Sequence, residues 1–530
     1  MKFGIVNDVL GQRVGFPHIK LPAAYALAES QWMAYREGAM RRIPGRMPAF
    51  LSGGSPVQTP DANPIIHWHK HVRNTGEETL FAFTKDHAYR WNAGGGAWVT
   101  AWTCSTSCTH WSTADCGPYI VATNQIDKVI KWLDTAPTDP FSVLGDPTNG
   151  LDIGDSNWCV KANYLIEAES YLILMGTTDA GTYKPNRRRW CSWGDLTDWD
   201  SSDTKSGDAG YNDLEANNVI SACGIYSVGG ATRVITFTQK LIDMMWLTED
   251  VTVWNSETII QGIGCPAPDS IVTEPSGNLW FLATDQTIRQ LFASGPASAD
   301  IAQTVRGLHP DKLSESRAVY VPGLDHLWWS VPQNLDSTGN DLILMLDRQT
   351  GFWNTAPMDV AAFGAYTTQS AYTIDTIPFP TIDTIAWPTI DHAGGGLGYP
   401  LLIASDYAGY GYSCLADTKD KGVAYTGRLA LATDLANSGA VTEFKRAHGL
   451  WLFLAPGAAS DMVSVSIRTA AKASYRFLKN VALTPDGDGT EIVRWVPFDA
   501  RFRHCCLKLE SDSPFAVIGV VFEFDFDGDR

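Results

Sequence analysis

Two groups of residues carry the chemistry to hold a metal ion. Cys104, Cys108, His110 and Cys116 set four soft or borderline donors within thirteen residues, and donors of this kind surround Zn²⁺ in structural sites. Their spacing matches no zinc module, and no second Cys-x-x-Cys accompanies them. The segment therefore reads as a polar loop with buried thiols, the ordinary position of free cysteine, and the four residues stand as the metal candidates of the chain. His67, His69 and His71 alternate around Trp68, so on a strand they share one face. No carboxylate or thiol stands beside them in sequence, and the expectation is a solvated strand face.

Catalytic arrangements are sparse. Ser192 and Trp199 have the separation of the sialidase Asp-box, S-x-D-x-G-x-T-W, but Gly194 stands where Asp belongs, Leu196 replaces Gly and Asp198 replaces Thr. Sialidases also converge three arginines on a carboxylate. Arg187, Arg188 and Arg189 are consecutive, so on a strand they alternate faces and cannot all converge. A glycosidase needs two carboxylates facing across a cleft, and 58 acidic residues leave room for such a pair. Nucleophile elbows, P-loops and Rossmann fingerprints are absent. The expectation is no enzyme, with no catalytic and no cofactor-binding residues, and a sugar-binding or glycosidase-type propeller as the alternative.

These residues must be positioned by strands. Leu80–Thr84 runs into Ala88–Trp91, Val234–Thr238 into Ile242–Met245, and Leu279–Thr284 into Ile288–Leu291. Each pair is an apolar strand ending at Thr, a three-residue turn, and a second strand opening on an apolar residue, which is a β-hairpin. The second and third copies lie one propeller blade apart, about 40–50 residues. Twenty Trp, 47 Gly and 28 Pro against 18% charged residues favour strands and turns over surface helices. The fold class expected is all-β: a propeller of six to eight blades over residues 61–415, a short N-terminal element with a helix over residues 1–60, and a C-terminal β-sandwich over residues 430–530. The helix is expected from Leu21-Pro22 onward, reaching Arg41 or Arg42. The sandwich follows from the period-two alternation of Met462–Arg468 and Val521–Asp527.

An inserted arm near residues 373–396 repeats Thr-Ile-Asp-Thr-Ile, with prolines that keep it from joining a central strand. Its Thr373, Ile374, Ile377, Phe379, Ile382, Ile385, Trp387 and Ile390 are the partner-contact candidates, against either a neighbouring subunit or the arm's own propeller.

The net charge of −18 disfavours tight nucleic-acid binding yet permits a passing contact, since an acidic wall would not grip a sliding polymer. The start lacks the apolar stretch of a secretory signal, so the ten cysteines are expected to be reduced thiols. No run of eighteen apolar residues exists, and no membrane insertion is expected.

Read in order, several landmarks resemble a family. Arg36-Glu37-Gly38-Ala39-Met40-Arg41-Arg42-Ile43-Pro44-Gly45 is similar to the EG-x-x-R-R-x-x-G segment of propeller-bearing bacteriophage tail proteins. Ala122-Thr123-Asn124 with Asp127 resembles their ATN-x-x-D strand, and Arg189, Ser192 and Asp195 with Trp199 resemble R-x-x-S-x-x-D followed by Trp. Gly264 to Ser270 resembles the G-x-x-A/S-P-x-S turn that follows. The resemblance is to the tail nozzle and DNA-stabilisation proteins of short-tailed phages. It implies a non-catalytic virion protein, assembled in the host cytoplasm, that forms a ring of six around the DNA exit channel. It further implies contacts with the tail adaptor and other tail proteins, and weak affinity for the double-stranded DNA that passes.

Overall fold

The computed structural model describes residues 2–6, 27–36, 39–73, 76–144, 159–179, 181–199, 209–215, 217–248, 253–366, 401–433, 444–458, 460–469, 474–485, 492–502 and 505–527. The arm candidates Thr373 to Ile390 lie outside the described residues.

Among the described residues seven antiparallel blades follow one another, five of them four-stranded sheets, one three-stranded, and one a set of four strands within a nine-stranded sheet. Blade 1 is His67–Val72, Glu78–Phe83, His87–Asn92 and Ala97–Thr103; blade 2 is Ser112–Cys116, Tyr119–Thr123, Ile130–Leu133 and Ser142–Val143. Blade 3 is Cys159–Ala168, Tyr171–Asp179, Thr182–Trp190 and Gly210–Asp213; blade 4 is Ile220–Val228, Ala231–Thr238, Leu241–Leu247 and Trp254–Gln261. Blade 5 has Val272–Thr273, Leu279–Leu282 and Ile288–Gln290, and blade 6 has Arg317–Val321, His326–Val331, Leu342–Asp347 and Trp353–Ala356. Blade 7 takes Ala362–Tyr366, Leu401–Ser405 and Gly411–Asp417 from late in the chain and Gly45–Pro48 from its beginning.

The first strands of successive blades touch in turn, and that of blade 7 touches that of blade 1, so the seven close around an axis. An apolar cluster fills each gap. Phe81, Trp111 and Trp132 join blades 1 and 2; Phe237 and Phe281 join blades 4 and 5; Phe50, Trp68, Trp98 and Ile403 join blade 7 to blade 1. Burying one such aromatic side chain contributes about 1.5–3 kcal/mol, which is why so Trp-rich a chain can hold blades that are individually too thin to bury both faces. Over the described residues the fold is thus all-β, with a seven-bladed propeller.

The three hairpins expected from sequence are the second and third strands of blades 1, 4 and 5. Thr closes two of the turns through its hydroxyl: Thr84 Oγ1 accepts from the His87 amide (3.1 Å) and Thr238 Oγ1 from the Leu241 amide (3.0 Å).

The expected N-terminal helix is corrected. Where residues 21–42 are described they form strands, Leu27–Gln31, Met33–Arg36 and Ala39–Arg42, with Trp32 at φ 57° between the first two. Local propensity favours a helix, but Met33–Arg36 pairs with Ala39–Arg42 as a hairpin and the other pairings reach far along the chain. Leu27–Gln31 pairs with Gly427–Thr433 and runs parallel to Trp353–Ala356, and Ala39–Arg42 pairs with Ala516–Asp527. Among the described residues the one α-helix is Ala302–Arg306.

The sandwich packs two sheets over a core that includes Leu450, Leu452, Val465, Leu507, Leu509 and Phe522. One sheet holds Phe444–Leu454, Ile492–Phe502 and Ala516–Asp527 with the strands Met33–Arg36 and Ala39–Arg42. The other is not separate from the propeller. Blade 6 continues through Leu27–Gln31 into Gly427–Thr433, Cys505–Ser511, Met462–Arg468 and Arg476–Ala482 as a nine-stranded sheet.

Closure of the ring rests on Arg46, whose side chain is fully buried. It donates to both carboxylate oxygens of Asp420 (2.7 and 2.8 Å), to Asp359 Oδ1 (2.7 Å) and to the Asp359 carbonyl (2.6 Å). Gly45 lets the strand enter, because a Cβ there would sit 2.4 Å from the Lys419 carbonyl oxygen.

Candidate functional site

The polar residues with unusual surroundings gather on the propeller axis. Period-two alternation in His67–Val72 turns Trp68 into the blade 1–7 cluster and the three histidines the other way. The first strand of blade 2, Ser112–Cys116, lies alongside and offers Thr113 and Asp115. His71 Nδ1 lies 2.6 Å and His69 Nε2 3.0 Å from the same oxygen, Asp115 Oδ1. Thr113 Oγ1 lies 2.9 Å from His69 Nδ1 and 2.8 Å from His67 Nε2.

With neutral imidazoles one proton arrangement satisfies this chain. A carboxylate only accepts, so His69 donates from Nε2. Its Nδ1 then accepts from the Thr113 hydroxyl, whose oxygen accepts from His67 Nε2. Burial works to raise the Asp115 carboxyl, but hydrogen bonds from His69 and His71 outweigh it and hold it below the ordinary carboxylate range.

The sequence therefore misjudges the histidines as a solvated face. His71 is 3% exposed and packs edge-on against Trp132, and the missing carboxylate arrives from the next blade. Asp115, Thr113, Asp269 and Arg317 are absent from the residues that sequence reasoning selects. The signal that finds the first two is a register comparison of successive first strands.

A second network spans the axis nearby. Asp269, on the turn Pro268–Ser270 between blades 4 and 5, accepts from Arg317 of blade 6 (3.0 Å) and from His110 before blade 2 (3.2 Å). Burial opposes the Asp269 charge, yet Arg317 and His110 hold its carboxyl below the ordinary range. His67 keeps some accessible surface but lies deep among these groups, and desolvation, against the pull of Asp269, pushes its pKa down to about 3.

Of the four metal candidates from sequence, Cys104 and Cys108 stay in hydrogen-bond contact with each other, while His110 and Cys116 are drawn away from them. Cys104 accepts from Asn124 (3.4 Å) and Cys108 faces the Thr84 carbonyl (3.9 Å), both beside the blade 1–2 cluster. His110 turns to Asp269, and Cys116 packs against the blade 2–3 cluster. Among the described residues the group of three metal-ligating side chains is His69, His71 and Asp115, whose donor atoms all lie within 4.8 Å of one another.

The sialidase-like residues build a turn. Ser192 Oγ bonds Asp198 (2.7 Å), Asp195 accepts from the Thr197 amide and hydroxyl (2.8 and 2.6 Å), and the Trp199 indole donates to the Leu196 carbonyl (2.8 Å). The three arginines diverge: Arg187 pairs with Asp213, the buried Arg188 with Asp243, and Arg189 donates to the Trp199 carbonyl. A cleft of about 390 Å³ beside this turn is lined by Tyr119, Lys131, Glu167 and Asp195 among others.

No family model matches the chain, and no curated protein does. Among solved structures it is similar to a chain described as YCF48 bound to D1 peptide, at 10% identity and a TM-score of 0.36, over 71% of this chain and 98% of that one. A likeness at this level carries no argument about function.

Proposed function

We propose that the chain is a structural subunit of a short-tailed phage tail, a nozzle-type protein whose copies, six in the related proteins, ring the DNA exit channel, retain packaged DNA and conduct it on ejection. The observation that supports this reading is the use to which the landmark residues are put: the resemblance falls, in order, on joints of the scaffold. Arg42 donates to the Thr418 and Tyr425 carbonyls (3.0 and 2.9 Å) where the sandwich meets the closing blade. Asp127 ties Ser105 and Trp102 of the blade 1 side to the Asn124 turn of blade 2. Arg189 and Ser192 fix the turn that follows the third strand of blade 3, and Ser270 fixes the joint of blades 4 and 5. Residues spent on rigidity suit a wall rather than a catalyst.

Contacts of about 3 Å across the axis leave no room for a duplex inside one propeller, so a DNA channel must lie between copies. The wall they present is passive, and any gate belongs to a loop or to the next protein in the stack. Duplex affinity is expected at or beyond the weak end of non-specific binding, about 10⁻⁴ M at physiological salt. Negative-stain imaging of the protein alone and with tail connectors should give rings on the connector, and filter binding should give no submicromolar, salt-sensitive complex. Absence of rings on any connector, or tight DNA binding, overturns the reading.

The cleft by Glu167 and Asp195, with Trp193 65% exposed on the same turn, favours a second reading as a carbohydrate-binding propeller. Binding of a glycan panel that is lost on Trp193→Ala would promote it.

A further inference from the structure

We propose that His69, His71 and Asp115 form a binding site for one borderline divalent cation of the Zn²⁺ class, bridging blades 1 and 2 at the propeller axis. Two imidazoles and a carboxylate are the donors that such cations take, and three protein ligands leave positions for water. Here the two imidazoles are fixed on one face by strand alternation, and the carboxylate is brought opposite by the neighbouring strand. His69 Nε2 and His71 Nδ1 already converge on a single oxygen, at 3.0 and 2.6 Å. A cation enters by replacing those two hydrogen bonds with coordination to the same three atoms. Access exists, because the Asp115 side chain is 49% exposed.

For His69 the surroundings supply what a ligating histidine needs. A metal-bound imidazole donates its other N–H to a fixed partner, which orients the ring. For His69 that partner is Thr113 Oγ1, in place at 2.9 Å from Nδ1. When Nε2 coordinates, the His69 proton moves to Nδ1 and points at Thr113, and the Thr113 hydroxyl turns to His67 Nε2 at 2.8 Å. His67 then carries its proton on Nδ1, so the chain reverses direction with no change in proton count. His71 moves its proton to Nε2, which has no hydrogen-bond partner. The cation adds coordination bonds between inner strands joined by side-chain hydrogen bonds and packing, so occupancy stabilises the blade 1–2 joint by mass action.

The test is a titration of the chelator-treated full chain with Co²⁺ and Zn²⁺, read by calorimetry, visible absorption and thermal melting. Expected are one cation per chain, Co²⁺ bands of nitrogen and oxygen ligation without a thiolate charge-transfer band, and a rise in melting temperature with Zn²⁺. Asp115→Asn and His69→Gln should each weaken binding at least ten-fold, and Thr113→Val by about 10–100-fold, with circular dichroism unchanged. His110→Gln, on the axis but outside the set, should bind as the parent does. No binding at millimolar cation, a thiolate band, or affinity untouched by Asp115→Asn overturns the proposal. A variant that loses its fold is replaced by Thr113→Val, which removes the hydroxyl bonded to His69 and His67 but none of the three ligands.

Discussion

Arg46→Met should open the propeller at its closure. The substitution keeps the volume of the stem but removes the guanidinium that joins Gly45–Pro48 to Asp420 and Asp359. The two carboxylates then fare differently. Asp359 is 47% exposed and keeps Lys421 at 2.5 Å, so water and that ammonium screen most of its loss. Asp420 is 17% exposed and loses a two-pronged partner. Breaking a buried ion pair from one side costs about 3–5 kcal/mol. With unfolding entropy of about 2.1 cal/mol/K per residue over roughly 350 residues, that cost lowers the melting temperature by about 4–7 °C. Trp68, Trp91 and Trp98 flank the blade 7–1 gap, so tryptophan fluorescence during heating reads the event directly. Arg46→Met with Asp420→Asn removes the stranded charge and should recover about 1 kcal/mol or more. A single variant within 1 °C of the parent, or a double variant no better than the single, refutes the account of Arg46 as a charge-satisfied clasp.

Other outcomes follow from the same geometry. Asp269 has a folded-state pKa depressed below its ordinary value by Arg317 and His110 against the cost of burial, so its stabilisation is complete above about pH 4 and fades as pH falls through the folded value. Asp269→Asn should therefore lower the melting temperature at pH 7, with variant and parent converging below pH 4; a gap constant with pH counts against the pairing. Gly264→Ala would set a Cβ 1.7 Å from the Thr238 carbonyl oxygen and should cost about 3 kcal/mol by denaturant titration, whereas Gly229→Ala, with open space around it, should cost only the strain of its positive φ. Deleting residues 373–391 should leave the melting profile intact and abolish incorporation into rings if the arm is a subunit contact; unchanged incorporation assigns it to its own propeller.

The hairpins were legible because their determinants are local: an apolar run, a Thr whose hydroxyl bonds amides two or three residues on, and a second apolar run. The strands at 27–42 were not. Their Ala- and Glu-rich stretch has helical propensity, and the sheets that override it come from residues beyond 350. That Arg187, Arg188 and Arg189 do not all converge could be read from strand alternation, which sets Arg188 on the face opposite the other two. The histidine site could be read only in half, since alternation puts His69 and His71 on one face while Asp115 lies 44 positions from His71 and becomes a neighbour only when two blades pack.

The strands at 27–48 also impose a schedule on synthesis. Met47 pairs with Ser413, Leu27 with Leu431 and Met40 with Val517, so these strands leave a ribosome long before their partners do. At about 5–20 residues per second, the more than 360 residues between Met47 and Ser413 take roughly 20–70 s. Throughout that time blades 1 to 6 can form in order, each seated on the one before, while the opening segment holds unpaired edges that invite pairing with another nascent chain. A polysome carrying several copies places those edges side by side. The yield of folded protein should therefore depend on what shields the strands at 27–48 during translation more than on the stability of any blade.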